Sequence, residues 1–316
     1  MPTGVRVLDG MVSLGRGQRV GVFSGPGVGK STLLATIARN TSADVNVIAL
    51  VGERGREVRD FIGDALGEDG LARSVLVVAT SDESPLLRVR AAFVACAIAE
   101  HFRDLGQDVM LMMDSITRFA QAQRQIGLTV GEQPATKGYT PSVFAMMPRL
   151  LERAGALESG GSITGIYSVL VEGDDLAEPI SDAARGILDG HIALSRPLAS
   201  RGHYPAVDVL ESISRVADDV CDEHHINGRR TLRRLIAAYA EAAELNTHGA
   251  DARGSNPACD AAIEMTPRLD AYLQQASREP APYPLTCRRL TELSVEANLL
   301  LERDPAALAA AAVSPR

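Results

Sequence analysis

The run Ser24-Gly25-Pro26-Gly27-Val28-Gly29-Lys30-Ser31-Thr32 has the make-up of a loop that holds a polyphosphate. Its glycines let backbone N–H groups turn inward on phosphate oxygens, and a helix beginning behind them adds its positive end. Lys30 can reach the β and γ phosphates, and the Ser31 hydroxyl suits a magnesium ion. The strict pattern places Gly six positions before the lysine, where this chain has Ser24. The remaining glycines and the strand-loop-helix context compensate, so polyphosphate binding is the firmest reading. Hydrolysis asks for more: a group that orients water for in-line attack and charges that stabilise the transition state. Glu53, in Gly52-Glu53-Arg54-Gly55-Arg56-Glu57, is the candidate for positioning or deprotonating that water. Asp114 closes the apolar run Val109-Met110-Leu111-Met112-Met113 and is the candidate for holding a magnesium shell through water and Ser31.

These groups need elements that bring them to one place. Short apolar runs recur at Arg19 to Phe23, Val45 to Val51, Ser74 to Ala79, Val109 to Met113, Ile163 to Val171 and His191 to Leu194, with longer helical patterns between them. Continuous apolar strands separated by helices predict a mostly parallel sheet covered on both faces, an α/β fold. Ligands of such sheets sit at the carboxyl ends of the strands, where the phosphate loop, Glu53 and Asp114 all fall. The stretch from Pro85 to about Asp104 predicts a helix covering the sheet, with Leu86, Val89, Phe93, Ile98 and Phe102 on or near one stripe. From about Ile226 the composition turns to Ala, Leu, Arg and Glu at helical spacing, broken at Thr247 to Pro257 and Pro280 to Pro284. This predicts a catalytic domain over 1–225 and a smaller helical domain over 226–316, with Leu308 to Arg316 fraying.

Composition narrows the partners. The 316 residues carry 40 Asp plus Glu against 32 Lys plus Arg, a net charge of −8, and no Trp. An acidic chain with 4% aromatic residues lacks both the basic footprint and the stacking rings of a nucleic-acid binder. Cys96, Cys221, Cys259 and Cys287 lie far apart without metal-ligand spacing and read as reduced thiols of a cytosolic protein. No apolar run approaches the roughly twenty residues of a membrane span, and the N-terminus carries no export signal pattern. His224 and His225 are adjacent and are assigned no metal.

With the phosphate loop stand VGERGREV at 51–58, MMDSITRFAQAQR at 112–124, GEQPATKGYTPSVF at 131–144, VEGDDLAEPI at 171–180 and HYPAVDVLESISR at 203–215. In this order, over nearly the whole chain, the set resembles the bacterial type III protein export ATPases of flagellar and injectisome systems, relatives of the rotary ATP synthase catalytic subunit. The resemblance implies a RecA-like P-loop NTPase core that binds ATP and Mg2+. It makes Glu53 the catalytic carboxylate with Arg54 beside it, and Glu57 a holder of metal-bound water. Tyr204 falls on the residue lining the adenine pocket, Arg215 on an arginine finger inserted into a neighbouring subunit's site, and Arg118 on a support near Asp114. By themselves Tyr204 reads as a core ring and Arg215 as a partner of Asp218 or Asp219.

The family further implies a homo-hexameric ring, stalk and regulator proteins, export substrates and chaperones as partners. It also implies a cytoplasmic location, peripheral at the inner face of the membrane. Members usually begin with a small β-barrel domain, whereas this sequence starts at Pro2-Thr3-Gly4-Val5-Arg6, at the edge of the nucleotide core. That implies either a shortened chain or an unusual gene, monomeric and weakly active as isolated. Leu245-Asn246-Thr247-His248-Gly249 is polar where the family is usually apolar, which bears on the packing of the C-terminal helices. Two other functions share the core: a Rho-like nucleic-acid translocase, against which charge and aromatic content count, and a ring subunit that binds nucleotide without cleaving it, against which Lys30, Glu53 and Asp114 count.

Overall fold

The computed structural model describes residues 1–171, 177–247 and 257–302. In chain order its elements are α1 (Arg6–Met11), β1 (Arg19–Ser24), α2 (Lys30–Asn40), β2 (Val45–Val51) and α3 (Gly55–Asp60), which runs on through a π-helical turn (Phe61–Leu66) into α4 (Gly67–Leu71). Then come β3 (Ser74–Ala79), α5 (Pro85–Asp104), β4 (Asp108–Asp114), α6 (Ile116–Thr129), α7 (Pro141–Leu151), β5 (Gly155–Ala156), β6 (Ser162–Leu170) and α8 (Pro179–Ile187). The rest is β7 (Gly190–Leu194), α9 (Arg196–Ser200), β8 (Val207–Ser214), α10 (Ala217–Val220), α11 (Glu223–Thr247), α12 (Pro257–Leu273) and α13 (Tyr283–Leu301).

The sheet runs β3-β2-β4-β6-β1-β7-β8, with β5 attached to β6. All the pairings from β3 to β7 are parallel, and β8 returns antiparallel to β7. Alternation along β4 accounts for the unbroken apolar runs. Met110 and Met112 enter a core shared with α1, α2 and the C-terminal helices, while Val109, Leu111 and Met113 enter one beneath α5, α6 and α7. With both faces covered, every position of the strand is apolar. The predicted strands stand where the sequence placed them; β8 carries no such run. Its register alternates, with Val207, Val209 and Ser212 buried between more exposed neighbours, the pattern of a partly solvated edge.

Helix α5 does cover the sheet, but not with the large side chains the sequence suggested. Leu86 is 62% exposed, and Phe93, Ile98 and Phe102 are half-buried. The face that meets β2, β3 and β4 consists of Val89, Ala92, Ala95, Cys96 and Ala99. Small side chains let the helix axis approach the sheet closely, and the bulkier residues fill its flanks. The sequence break at Pro280 to Pro284 falls where α13 begins, whereas the break at Thr247 to Pro257 lies, except for its two end residues, outside the described residues, as do the end of the polar Leu245 to Gly249 stretch and the Leu308 to Arg316 tail.

The small-residue face can be tested directly. Ala95→Leu overpacks a fully buried position and should cost about 1–3 kcal/mol, whereas Leu86→Ala should shift stability by less than about 0.5 kcal/mol. Urea denaturation of the two variants checks both, and equal effects would contradict the packing described.

Candidate nucleotide site

β1 ends at Ser24 and α2 begins at Lys30, so the phosphate loop spans the step from strand to helix. Ser24 is still in the sheet, paired in register with Leu170, and its carbonyl accepts a hydrogen bond from the Val171 N–H at 3.0 Å. A residue in extended backbone does not need to be glycine, which explains the departure from the strict pattern. The left-handed conformations come later, at Gly27 (φ 77°) and Gly29 (φ 92°).

Three strand ends converge on this loop. Asp114, 4% exposed at the end of β4, accepts hydrogen bonds from Lys30 Nζ at 2.5 Å and from Ser168 Oγ of β6 at 2.6 Å. The peptide bond from Asp114 to Ser115 is cis, and Ser115 caps α6 by accepting from the Arg118 N–H. Glu53 follows β2 through Gly52, whose φ of 73° disfavours a side chain and where an added Cβ would stand 2.8 Å from the Arg118 Cβ. Arg118 is thereby brought beside Glu53, and its Nη1 donates to Gln121 Oε1 at 3.1 Å.

Glu53 Oε1 is buried without a hydrogen-bond partner in the described structure. Burial, the nearby Asp114 charge and the Glu57 carboxyl push the Glu53 carboxyl up from its ordinary 4.5 to about 7, against the pull of Lys30 and Arg118. Ser31, Glu53, Glu57 and Asp114 share a cavity of about 90 Å³ with Leu50, Val58 and Phe61. Among the described residues no three of His, Cys, Asp and Glu lie close enough to hold a cation directly. Hard oxygen donors spaced around a small cavity fit magnesium, which keeps several of its own waters. Arg54, with a side chain 78% exposed, pairs with Glu57 at 3.3 Å.

A second cavity, about 340 Å³, opens on the other flank of the loop. Tyr204, 46% exposed, places its ring 3.5 Å from the Cβ position of Gly29, so it is a cleft wall and not a core ring. Thr32 and Thr36 of α2 face it, and the far wall is Gln275, Ala276 and Ser277, from the turn between α12 and α13. The Gln275 N–H donates to the Tyr204 carbonyl at 2.9 Å. These far-wall residues were not found from the sequence, where a Gln-Ala-Ser turn carries no signal of its own.

Arg215 lies elsewhere. It follows β8, and its N–H donates to the Asp189 backbone carbonyl at 3.0 Å, while the Asp189 carboxylate pairs with Arg19 at the first residue of β1. Lys30 stands beyond the last residue of that strand. The exposed Arg215 side chain makes no ion pair or hydrogen bond among the described residues; Asp218 is taken by Arg229 and Arg230. Residues 172–176, within VEGDDLAEPI, lie outside the described residues.

A glycine-rich loop between a parallel strand and a helix, a lysine held on a strand-end aspartate and an acid on the neighbouring strand end define a P-loop nucleoside-triphosphate-binding protein. Comparison with known proteins narrows this. The model of the ATP synthase alpha/beta family, nucleotide-binding domain, matches residues 4–214, and that of the T3SS EscN ATPase C-terminal domain matches residues 221–292. The chain is 57% identical over 305 residues to the flagellum-specific ATP synthase of Treponema pallidum, covering 96% of this chain and 67% of the relative. The assembled ATPase EscN of the enteropathogenic E. coli type III secretion system superposes with a TM-score of 0.88 at 46% identity, over 93% of this chain and 71% of EscN. EscN in complex with its central stalk EscO gives 0.87 at 45%, over 93% and 70%. The chain therefore belongs to the ATP synthase alpha/beta family, among its flagellar and type III secretion ATPases, and spans about two thirds of the length of the curated relatives it matches.

The Glu53 environment sets a pH signature. A carboxyl whose folded pKa lies above its unfolded value stabilises the fold fully below about 4.5 and loses that contribution as pH rises through about 7. Glu53→Gln should therefore gain stability relative to the parent between pH 5 and 8, measured by urea denaturation. Its turnover should fall by about 10²–10⁴-fold, while parent turnover climbs through pH 7 as the carboxylate forms. A parent profile flat from pH 6 to 8 would contradict this assignment.

Proposed function

We propose that this chain hydrolyses ATP in the service of flagellar or injectisome protein export, working as a homo-hexameric ring with sites shared between subunits. The observation that carries the hydrolytic reading is Glu53, a partly buried carboxylate with an unpaired oxygen beside Lys30 and Asp114. Gly25 to Thr32 cradle the phosphates and Tyr204 packs against the adenine. Lys30 leaves Asp114 for the β and γ phosphates, exchanging one anion for another. Ser31 and, through water, Glu57 and Asp114 would hold magnesium, which when bound neutralises phosphate charge. Glu53 orients a water toward the γ-phosphorus and can take its proton, its pKa lying near the working pH. Arg54 remains at the mouth of the site and Arg118 steadies the Glu53 loop.

Arg215 supports the ring. It stands at the opposite end of β1 from Lys30, and six strand residues at about 3.3 Å each separate the two ends. No arginine side chain spans that distance, so a contribution to catalysis must come from a neighbour. We place the catalytic domain at 1–225 and the helical domain at 226–316. As partners we propose a central stalk, as in the EscN–EscO complex, together with regulator proteins, chaperones and export substrates. The location that fits is cytoplasmic and peripheral to the membrane export apparatus; no described helix is long and apolar enough to cross a membrane.

Arg215→Ala should lower turnover about 10³-fold or more while leaving nucleotide binding intact. Mixing Arg215→Ala subunits with Glu53→Gln subunits should restore part of the activity, since some interfaces then combine an intact Arg215 with an intact Glu53. Phosphate release measured across mixing ratios decides. Mixtures no more active than their components would sink the shared site, and specific activity independent of protein concentration would count against ring assembly.

A further inference from the structure

The helix that follows Glu53 is broken. α3 passes into the π-helical turn Phe61–Leu66, which ends at Gly67 with φ 66° and ψ −177°, a conformation essentially reserved for glycine. Two carbonyls inside the break are taken up from outside the helix. Ala65 O accepts from Arg39 Nη1, and Asp64 O accepts from Arg278 Nη2 at 3.2 Å. Arg39 is in the last turn of α2, the helix that starts at the phosphate loop. Its other nitrogen donates to Ser277 O and, at 3.2 Å, to Thr36 Oγ1. Thr36 Oγ1 lies 3.3 Å from the same Ser277 carbonyl. Thr36 and Ser277 both line the 340 Å³ cleft that faces Tyr204, and Phe61 lines the 90 Å³ cavity that holds Glu53. One half-buried guanidinium thus touches the wall of the base cleft on one side and the broken helix on the other.

We propose that Arg39 and Arg278 are positioning residues that convey occupancy of the base cleft to the Phe61–Leu66 turn and so to the placement of Glu53 and Glu57. The inference rests on the nucleotide-site reading above. A base entering between Tyr204 and Ser277 meets a wall whose Ser277 carbonyl is bonded to Arg39. Any shift of Ser277 is passed by the rigid, planar guanidinium to Ala65, and Arg278, next to Ser277 in the chain, draws Asp64 the same way. A π turn has an irregular hydrogen-bond ladder, so it yields where a continuous α-helix would resist. Phosphates alone fill the loop but do not reach the cleft wall. The catalytic carboxylates are therefore set by the base as well as by the phosphates.

Hydrogen–deuterium exchange on the full chain, with magnesium and either a non-hydrolysable ATP analogue or inorganic tripolyphosphate, separates the two signals. Both ligands should slow exchange over residues 25–32 in the parent, and only the ATP analogue should slow Phe61–Leu66. Arg39→Ala, and the exposed and therefore structurally milder Arg278→Ala, should lose the second effect and keep the first. Their kcat for ATP should drop about tenfold to a hundredfold with little change in KM, with partial recovery in Arg39→Lys. Equal slowing of Phe61–Leu66 by tripolyphosphate, or slowing that survives both alanine substitutions, would overturn the linkage. Absence of any protection over residues 25–32 in the parent would overturn the nucleotide site itself, and the linkage with it.

Discussion

Lys30 and Asp114 meet at the carboxyl ends of β1 and β4 with both charges nearly out of water, and the catalytic end of the sheet is organised around that contact. A buried ion pair contributes little net stability, because desolvation consumes most of the attraction, but removing one partner strands the other at a cost of about 3–5 kcal/mol. The pair therefore holds two charges in readiness. Were Lys30 to turn to phosphate as proposed, Asp114 would keep the Ser168 hydroxyl, and its negative charge would bear more heavily on Glu53. In the proposed site a cation arriving with the nucleotide would restore the balance, which is a physical reason for magnesium to accompany the phosphates. Burial, with the Asp114 charge and the Glu57 carboxyl close by, holds the Glu53 carboxyl up at about 7 against the opposing pull of Lys30 and Arg118.

The parts of this arrangement that are local in the chain could be read from the sequence. The phosphate loop, the strand before it and the helix after it are continuous in the chain, and the apolar runs of β2 and β4 point Glu53 and Asp114 to the same edge once a parallel sheet is inferred. What could not be read depends on contacts between distant residues. The Arg6 N–H bonds to Gln275 Oε1, Arg39 to Ser277, and Arg278 to Asp64, and no periodicity reports such pairs. The alanine face of α5 was hidden for another reason. Hydrophobicity marks large side chains as buried, whereas a helix lying close on a sheet selects small ones. β8 escaped because an edge strand with one solvated face mixes Asp, Glu and Ser with its apolar residues. The roles proposed for Tyr204 and Arg215 came from resemblance to a family, and neither residue type would have suggested them unaided.

The C-terminal helices are more than an appendage to the sheet. Gln275 is buried and donates from Nε2 to the carbonyls of Gly4 and Glu279 while its Oε1 holds the Arg6 N–H, so one side chain ties the start of the chain to the turn that walls the base cleft. Arg6 adds bonds to the Tyr272 and Gln274 carbonyls and an ion pair with Glu279. Multiple fixed contacts on one short turn make it stiff, and a stiff turn is what a relay through Arg39 requires. Were Gln275 to Glu279 loose, a base in the cleft would displace the wall without moving anything attached to it.

β8 joins this to the ring. Its antiparallel course puts the loop bearing Tyr204 at the end of the sheet that holds the strand's own phosphate loop, and Arg215 at the other end. In the proposed assembly the residues flanking a single strand would thus serve two sites, Tyr204 before it facing the base of one nucleotide and Arg215 after it facing the phosphates of the next. Donor and acceptor surfaces at opposite ends of a subunit cannot form a self-complementary pair in which both copies use the same patch. Such contacts are head-to-tail, and they end only when the rotation between neighbours closes a circle. A closed ring is then the smallest assembly in which every site is complete, and an isolated chain keeps its binding elements while lacking the charge that Arg215 of a neighbour would bring.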